Sequence, residues 1–317
     1  MPSRKFEDRI EQLRHLRHNP STPDIDVILR KAFSDRSNLV IAEAAKTVGE
    51  LRLSQWIPNL LEAFDRLFDD AAKTDPKCWG KTAIVKALVQ LDYSESPPFA
   101  RGAHHIQMEP VYGGQEDFAF HLRANSILAL VQVTDLTRFE ILRYIVDAMS
   151  DPADPVRIEA VRALNQLGGD ESILLLRLKA RTGDRRPLIV GHVFDALLNM
   201  ERDRVVSFVA EYLNSADEEL RDEAALALGA SRLAGAVKVL IETYNELRLE
   251  TFSGVLLRAI SSSRLPEAID FVLGVLKTGS PRQSAAAAEA LKLHEDSPEI
   301  QALIEQAKKS RAQSEIR

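Results

Sequence analysis

Cysteine is nearly absent from this sequence: Cys78 is the only one among 317 residues, so the chain cannot form an internal disulfide. Glycine and proline number 14 each and aromatic residues make up 6%, which leaves few of the turn and strand signals of an all-β protein. No run of 18 apolar residues occurs, and no membrane-spanning helix is expected. Hydrophobic residues still make up 45% of the chain, so the composition favours a helical protein with a long core.

An excess of basic residues is also missing. The 41 Lys and Arg residues are outnumbered by 47 Asp and Glu residues, which argues against a protein whose main task is to coat nucleic acid. Residues 1–8, MPSRKFED, carry charges where a secretory signal would have its apolar core. Together with the single cysteine, these features predict a cytoplasmic monomer that contacts no membrane.

In its second half the chain repeats an Ala-Leu or Ala-Ile pair at successive separations of 33, 31, 32 and 31 residues. The pairs are Ala163-Leu164, Ala196-Leu197, Ala227-Leu228, Ala259-Ile260 and Ala290-Leu291. Such a period is typical of solenoids, in which each repeat buries its apolar face against its neighbours. The sequence therefore predicts an all-α fold, a right-handed α-solenoid (α-α superhelix) of about eight helix pairs that forms a single domain over residues 1–317.

The fourth repeat shows how a pair is built. An apolar stripe through Ile141, Leu142 and Ile145 predicts a first helix over 138–149. Asp154 and Pro155 are typical of the start of a second helix, which Gly168 and Gly169 should end. We expect further first helices around 173–179, 205–213, 236–244 and 268–276.

The repeat continues upstream with wider spacing, through Ala129-Leu130, Ala87-Leu88 and Thr47-Val48. Extra residues in a solenoid emerge as loops, so the N-terminal half should carry the insertions. The predicted segments are a capping helix over 1–20, irregular repeats over 24–92, an inserted loop over 93–116, regular repeats over 117–295, and a capping helix with a basic tail over 296–317.

Two segments resemble the HEAT-repeat pattern in its short bacterial form, often called phycobilisome-lyase HEAT-like: residues 151–168, DPADPVRIEAVRALNQLG, and residues 218–229, EELRDEAALALG. The resemblance implies the solenoid fold. It leaves function open, because the family includes adaptors, bilin lyases, DNA glycosylase relatives and deoxyhypusine hydroxylases.

Two branches of the family fit poorly. Its hydroxylase members bind iron through repeated His-Glu pairs, whereas this chain has a single pair, His294-Glu295. Its glycosylase relatives present a basic groove with aromatic residues, whereas this chain is acidic and has only Trp56 and Trp79 as tryptophans. We therefore expect neither activity.

The segment 93–116 stands where the third repeat should have its first helix, and it mixes proline and glycine with His104, His105 and Tyr112. Loops of this length are usually functional or disordered. It is either a binding loop or an irregular cover over the repeats in place of the missing helix. Trp79, just upstream, could anchor this loop or a partner.

A metal site is a weaker interpretation of the same region. His104, His105 and Glu109, with Asp117 and His121 four residues apart on the predicted following helix, provide nitrogen and oxygen ligands, but their spacing matches no metal signature. Adjacent histidines point in different directions in an extended loop. We expect hydrogen-bonded or solvated histidines, no metal and no cofactor.

A polar row follows from superposing the second helices of the repeats. The position four before the repeated alanine holds Asn125, Glu159, His192 and Glu223, and the neighbouring column holds Arg162, Asp195 and Arg258. On a concave surface this row could bind a peptide or helix of a partner through charge pairs. The alternative is a solvated helix face with weak ion pairs.

A basic column, six residues before the repeated alanine, contains Lys81, Arg123, Arg157 and Arg221. We expect it to satisfy carbonyls and carboxylates of adjacent turns, with phosphate binding as the alternative. Cys78 lies at the start of a predicted helix, where the helix dipole favours thiolate, although no activating base is close in sequence. A buried thiol beside Trp79 is the preferred interpretation.

These features predict a non-enzymatic scaffold or adaptor that binds another protein through its concave face and the 93–116 segment. The alternative is a bilin-lyase-like or chaperone-like protein that handles a tetrapyrrole or an acceptor protein. Nucleic-acid binding through the basic column is a third hypothesis.

Overall fold

The computed structural model describes residues 4–19, 22–246 and 250–315, and these are almost entirely helical. They confirm the predicted all-α repeat fold. The chain divides into two compact units, 1–166 and 167–317. No helix in the described ranges is both long and apolar enough to cross a membrane.

The first unit carries ten helices and one hairpin among its described residues. The helices are α1 (Arg4–His18), α2 (Ile25–Phe33), α3 (Asn38–Glu50), α4 (Ile57–Arg66), α5 (Ala71–Thr74), α6 (Trp79–Gln90), α7 (Pro97–Ala103), α8 (Phe120–Ala129), α9 (Arg138–Ala148) and α10 (Asp154–Leu167), and the strands are β1 (Met108–Val111) and β2 (Gly114–Asp117). Helices α3, α6 and α8 pack side by side, and α2, α4 and α7 pack against them in turn.

The second unit repeats one plan. Its helices are α11 (Gly169–Thr182), α12 (Pro187–Glu201), α13 (Val206–Ala210), α14 (Glu218–Ala230), α15 (Ala234–Glu246), α16 (Glu250–Ser262), α17 (Pro266–Thr278), α18 (Pro281–Leu291) and α19 (Pro298–Glu315). Helices α12, α14, α16 and α18 pack side by side in a continuous row, and α11, α13, α15 and α17 pack against that row. Helix α19 packs against α17 at the end of the row.

The repeated pairs lie in the core, as their spacing predicts. Every residue of the eight pairs from Thr47-Val48 to Ala290-Leu291 is at most 4% exposed. The small residues on these helices allow close packing: a Cβ added at Gly229 on α14 would overlap the carbonyl oxygen of Ala259 on α16. The small first residue of each pair therefore allows neighbouring helices to approach, and the larger aliphatic residue beside it fills the layer between them.

Several helix ends differ from the sequence prediction. Helix α10 begins at Asp154 itself, and α9 is started by a capping box between Thr137 and Glu140. Around 205–213 the helix α13 is short and is flanked by 3-10 turns. Helix α19 continues to Glu315, so the predicted basic tail is helical through most of its length.

The segment 93–116 is the largest difference. The first helix of the third repeat is present as α7, only seven residues long, and it packs against α8 with Phe99 buried. The prediction that this helix is missing was wrong. Its shortness has a local reason: two prolines open the helix, and α7 ends at Ala103, where the chain leaves to form the hairpin.

A hairpin with its apolar side outward as the candidate functional site

The hairpin formed by β1 and β2 has an inverted pattern of burial. Along β1 and the residues before it, Gln107 and Glu109 are 4% and 8% exposed, whereas Ile106 and Met108, which alternate with them, are 66% and 46% exposed. Alternate residues of a strand face opposite sides, so the polar side chains face the protein and the apolar ones face solvent. A strand that only covered a core would have the opposite orientation.

The hairpin's base is a buried polar network centred on Gln107. Its side-chain amide donates to the backbone carbonyl of Asp75 at 2.8 Å, and its side-chain oxygen accepts from Lys81 Nζ at 3.0 Å. Lys81 also pairs with the Asp75 carboxylate at 3.1 Å, and neither side chain is exposed. Asn38 on α3 donates to the same carboxylate at 2.9 Å. The network therefore ties the hairpin to the first two repeats.

Glu109 forms the second attachment. Its carboxylate accepts from the backbone N–H of Lys77 and from the Gln107 amide, both at 2.6 Å. The ammonium group of Lys77 lies 5.8 Å from the centre of the Trp79 ring and 5.6 Å from that of Phe118, the residue after β2. The half-exposed Trp79 ring is therefore close to the base of the hairpin.

Asp117, the last residue of β2, holds the base of the hairpin from the other strand. Its carboxylate accepts from the backbone N–H groups of Gln107 and Ala119 at 3.0 and 2.9 Å, and it pairs with Arg123 at 2.7 Å. Arg123 pairs in turn with Asp151 at 2.8 Å. Burial alone would raise the pKa of Asp117, but these donors hold the pKa below its ordinary value. Asp117 lies in β2 and not on the helix with His121, contrary to the sequence interpretation.

Cys78 belongs to this network and is not a reactive thiol. It is buried, and its Sγ lies 3.1 Å from the side-chain oxygen of Gln107. Burial raises the pKa of the thiol to about 12, and this outweighs the opposing effect of the Lys81 charge. Lys77 and Cys78 both have positive φ, +61° and +53°, a strained pair of conformations that the surrounding hydrogen bonds hold in place.

The histidines and Glu109 do not meet at a metal site. His104 packs against Tyr144, and His105 packs on Phe68 while its Nε2 hydrogen-bonds Gln107 at 3.1 Å. His121 packs on Phe120. Burial lowers the pKa of both His105 and His121. No group of three or more His, Cys, Asp or Glu side chains in the described ranges could hold a metal ion.

His294 has a structural role. It is buried in a 3-10 turn after α18, and its Nε2 lies 3.0 Å from the Ser261 hydroxyl and 3.1 Å from the Ser261 carbonyl.

In the second unit, the predicted polar row spans three helices. His192 and Asp195 lie 4.0 Å apart on α12, Glu223 lies on α14 against Gly191, and Arg258 is exposed on α16. Burial raises the pKa of Glu223, and the neighbouring carboxylates, Asp195 first among them, raise it further. The row is therefore acidic between α12 and α14.

In the first unit, the row's members bond locally. The Asn125 amide donates to the carbonyl of His121 at 2.6 Å, and Arg162 pairs with Glu159 at 2.7 Å. These contacts are those of an ordinary helix face, and whether a partner binds there stays a prediction.

The basic column is buried and structural. Lys81, Arg123, Arg157 and Arg221 are at most 8% exposed. Arg157 donates to the carbonyl of Asp151 at 2.7 Å and pairs with Asp154, while Arg221 stacks over Phe252 at 4.4 Å. Phosphate binding required this column to be open to solvent, so the geometry excludes it.

Two depressions on the surface are candidate ligand pockets. One of about 580 Å³ follows α1 between Phe6 and His18 and is lined by that helix alone. The other, about 180 Å³, lies between His104 and Tyr144 and is lined largely by charged side chains of α9. Neither is the enclosed apolar cavity that a tetrapyrrole requires.

Sequence reasoning missed Asp75, Gln107 and the outward Ile106. The signal that could have found them is the alternation in residues 106–109, Ile-Gln-Met-Glu, which reads as a strand with one polar face. The prolines and glycines on either side of this alternation favour a loop and conceal the strand.

No family model matches the chain, and no curated protein matches it either. Among solved structures, human deoxyhypusine hydroxylase in complex with glycerol is 19% identical over 83% of this chain and 91% of that chain, with a TM-score of 0.31. An engineered protein is 16% identical over 97% of this chain and 95% of its own, with a TM-score of 0.36. TM-scores this low carry no argument about function, so membership of the HEAT-repeat superfamily stays a prediction and the repeat fold rests on the chain's own helices.

Proposed function

We propose that this protein is a non-enzymatic scaffold that binds another protein, and that the hairpin is its principal contact. The observation that supports this proposal is the inverted burial of the hairpin. Exposed apolar side chains are concentrated on the hairpin: Ile106 and Met108 lie on its outward face, Val111 and Tyr112 lie at its tip, and Trp79 lies at its base. Contiguous exposed apolar surface, rimmed by polar groups, marks interaction sites in folded proteins.

Rigidity strengthens the proposal. Gln107, Glu109 and Asp117 hold both strands through buried hydrogen bonds, so the outward side chains are presented on a fixed frame. A preorganised surface loses less conformational entropy when a partner binds. The polar row of the second unit, with Asp195 and Glu223, is proposed as an additional contact for a basic segment of the partner.

The test uses point variants, because deleting 95–115 would remove α7, the buried Phe99 and the network residue Gln107 along with the surface. In the hairpin variant, Ile106, Met108 and Tyr112 are all changed to serine. The matched control changes Leu174 and Leu178, which are exposed on α11, to serine. Both variants should melt at the wild-type temperature, since none of these side chains is in the core.

Each protein is used to recover partners from native lysate, and bound proteins are quantified by mass spectrometry. We expect a protein that wild type and the α11 control recover equally and that the hairpin variant recovers at least ten-fold less. Equal recovery by all three would show that the hairpin is not the contact. A coloured wild-type preparation would support the tetrapyrrole alternative.

A further inference from the structure

The hairpin is a two-stranded sheet, so each strand has an outer edge with no strand beside it in the described residues. Phe118 donates its N–H to the Gln107 carbonyl, and the register continues through Glu109 opposite Glu116 and Val111 opposite Gly114. Because hydrogen-bonded and non-hydrogen-bonded pairs alternate along an antiparallel ladder, the backbone groups of Gln115 and Asp117 point away from β1. These groups therefore lie along the outer edge of β2, where Gln115 is exposed and Asp117 is half-buried.

The two edges are not equivalent. On β1 the outward positions are Met108 and Pro110, and proline has no N–H to donate. On β2 the outward positions are Gln115 and Asp117, and both have an N–H and a carbonyl. An added strand can form a complete ladder only on β2.

The charges on the two strands indicate which kind of residue an added strand should have beside β2. Glu109 and Glu116 lie directly opposite each other, and like charges at such a position are unfavourable. Glu109 is held by its hydrogen bonds to the Lys77 backbone and to Gln107, whereas Glu116 is exposed. A basic residue beside Glu116 on a third strand would offset this repulsion.

We infer that an extended segment of a partner protein adds to β2 as a third strand, with a lysine or arginine beside Glu116 and apolar residues on either side of it. Those apolar residues lie on the face of the sheet that carries Met108 and Pro110, beside Gln115 and Asp117 of β2. This inference rests on the proposed function and names the form of the partner that the hairpin recognises.

The probe is a fluorescein-labelled nonapeptide of alternating threonine and valine with one central lysine, and the control peptide has glutamate at the centre. Fluorescence anisotropy measures binding to the full chain. We expect wild type to bind the lysine peptide at least ten-fold more tightly than the glutamate peptide. Glu116→Lys should reverse this preference, and Gln115→Pro, which removes one outward N–H, should weaken binding of the lysine peptide at least ten-fold.

Hydrogen exchange gives a second measurement that needs no variant. The bound lysine peptide should slow amide exchange at Gln115 and Asp117 and leave that of Met108 unchanged. If the lysine peptide does not bind, or if exchange at Gln115 and Asp117 is unaffected, the inference is wrong. Concentration-dependent self-association that Gln115→Pro abolishes would also overturn it, because the occupant would be a second copy of this chain.

The inference and the proposed function can fail separately. If the native partner is lost by the serine variant of Ile106, Met108 and Tyr112 but kept by Gln115→Pro, the scaffold stands and strand addition is wrong. If neither variant affects partner recovery while the peptide still binds, the hairpin edge accepts strands but is not the contact of the scaffold.

Discussion

The two units of the chain are built from similar helix pairs but differ in the polar and charged side chains that they bury. Among the described residues, the first unit buries the charged residues Asp75, Lys81, Glu109, Arg123 and Arg157, whereas the second unit buries Arg221 and the side chain of Asp184, which pairs with Lys179. The second unit's other buried polar groups are mainly serines that hydrogen-bond helix carbonyls, such as Ser261 to Ala290. The buried charges of the first unit are concentrated at the hairpin, where Asp75, Lys81, Glu109 and Arg123 fix the insertion.

One column of the repeat shows the contrast. Lys81 and Arg221 occupy the same repeat position, yet Lys81 makes a fully buried pair while the carboxylates nearest Arg221 are 3.8 and 3.9 Å away and partly exposed. The same basic residue type therefore anchors the hairpin in one unit and mainly stacks on an aromatic ring in the other.

The largest effect is expected for Lys81→Met. It leaves the Asp75 carboxylate buried without its cation, and removing one partner of a buried pair costs about 3–5 kcal/mol. The matched change Arg221→Met in the second unit should lower the free energy of unfolding by only about 1 kcal/mol. Urea unfolding of both variants measures the loss in the free energy of unfolding. Equal losses would show that Lys81 and Arg221 contribute equally to stability and that the contrast between the two units is wrong.

An intermediate effect is expected for Gly229→Ala. The new Cβ would meet the carbonyl of Ala259, so α14 and α16 must separate, at a cost of about 1–3 kcal/mol. Ala227→Phe, which overfills the core at a buried position of the same helix, should cost a similar amount.

The control is Gly254→Ala on α16, where a Cβ would meet no atom within 4 Å. This change should stabilise the protein by about 0.5–1 kcal/mol, since alanine is the better helix former. Thermal melting compares the variants, and an unchanged melting temperature for both Gly229→Ala and Ala227→Phe would show that the assigned helix packing is wrong.

The smallest effects are on how the free energy of unfolding depends on pH. Asp117 in the first unit and Glu223 in the second should contribute with opposite signs. The folded pKa of Asp117 is lowered, so its carboxylate stabilises the protein above its unfolded pKa of about 3.9, and this stabilisation is lost as pH falls through the folded pKa. The folded pKa of Glu223 is raised by burial and by Asp195, so its ionised form costs stability above that pKa.

Asp117→Asn should therefore lower the free energy of unfolding at pH 7 and reduce its decline below about pH 4. Glu223→Gln should raise stability at pH 7 by less than about 1 kcal/mol, and its advantage should shrink as pH falls through the folded pKa. Urea unfolding between pH 3 and pH 7 tests both. If both variants change the free energy of unfolding at pH 7 in the same direction, the predicted contrast between Asp117 and Glu223 is wrong.

The sequence predicted the regular half well because period and burial are coupled there. Ala227-Leu228 recurs with its counterparts at 31 to 33 residues, and a helix pair of that length must bury the same positions each time. The burial of Cys78 and the structural use of Arg123 also followed from local reasoning. The missing helix over 93–116 was a wrong prediction, because two prolines and several glycines conceal a short helix and a hairpin.

The candidate site could be predicted only in part. Trp79, His104, His105 and Tyr112 were singled out by residue type, and of these Tyr112 and Trp79 are exposed at the hairpin's tip and base. The partners of the two histidines, Tyr144 and Phe68, lie 40 and 37 residues away in sequence, and no local pattern indicates such contacts.

The sequence by itself determined the helical repeats, because a 31 to 33 residue period of small and large apolar residues can be buried in few other ways. Only the tertiary structure decided which side of the hairpin faces solvent. Gln107 and Glu109 turn inward because Asp75, Lys77 and Lys81, from a turn about 30 residues earlier, provide their hydrogen-bond partners, and Ile106 and Met108 must then face outward.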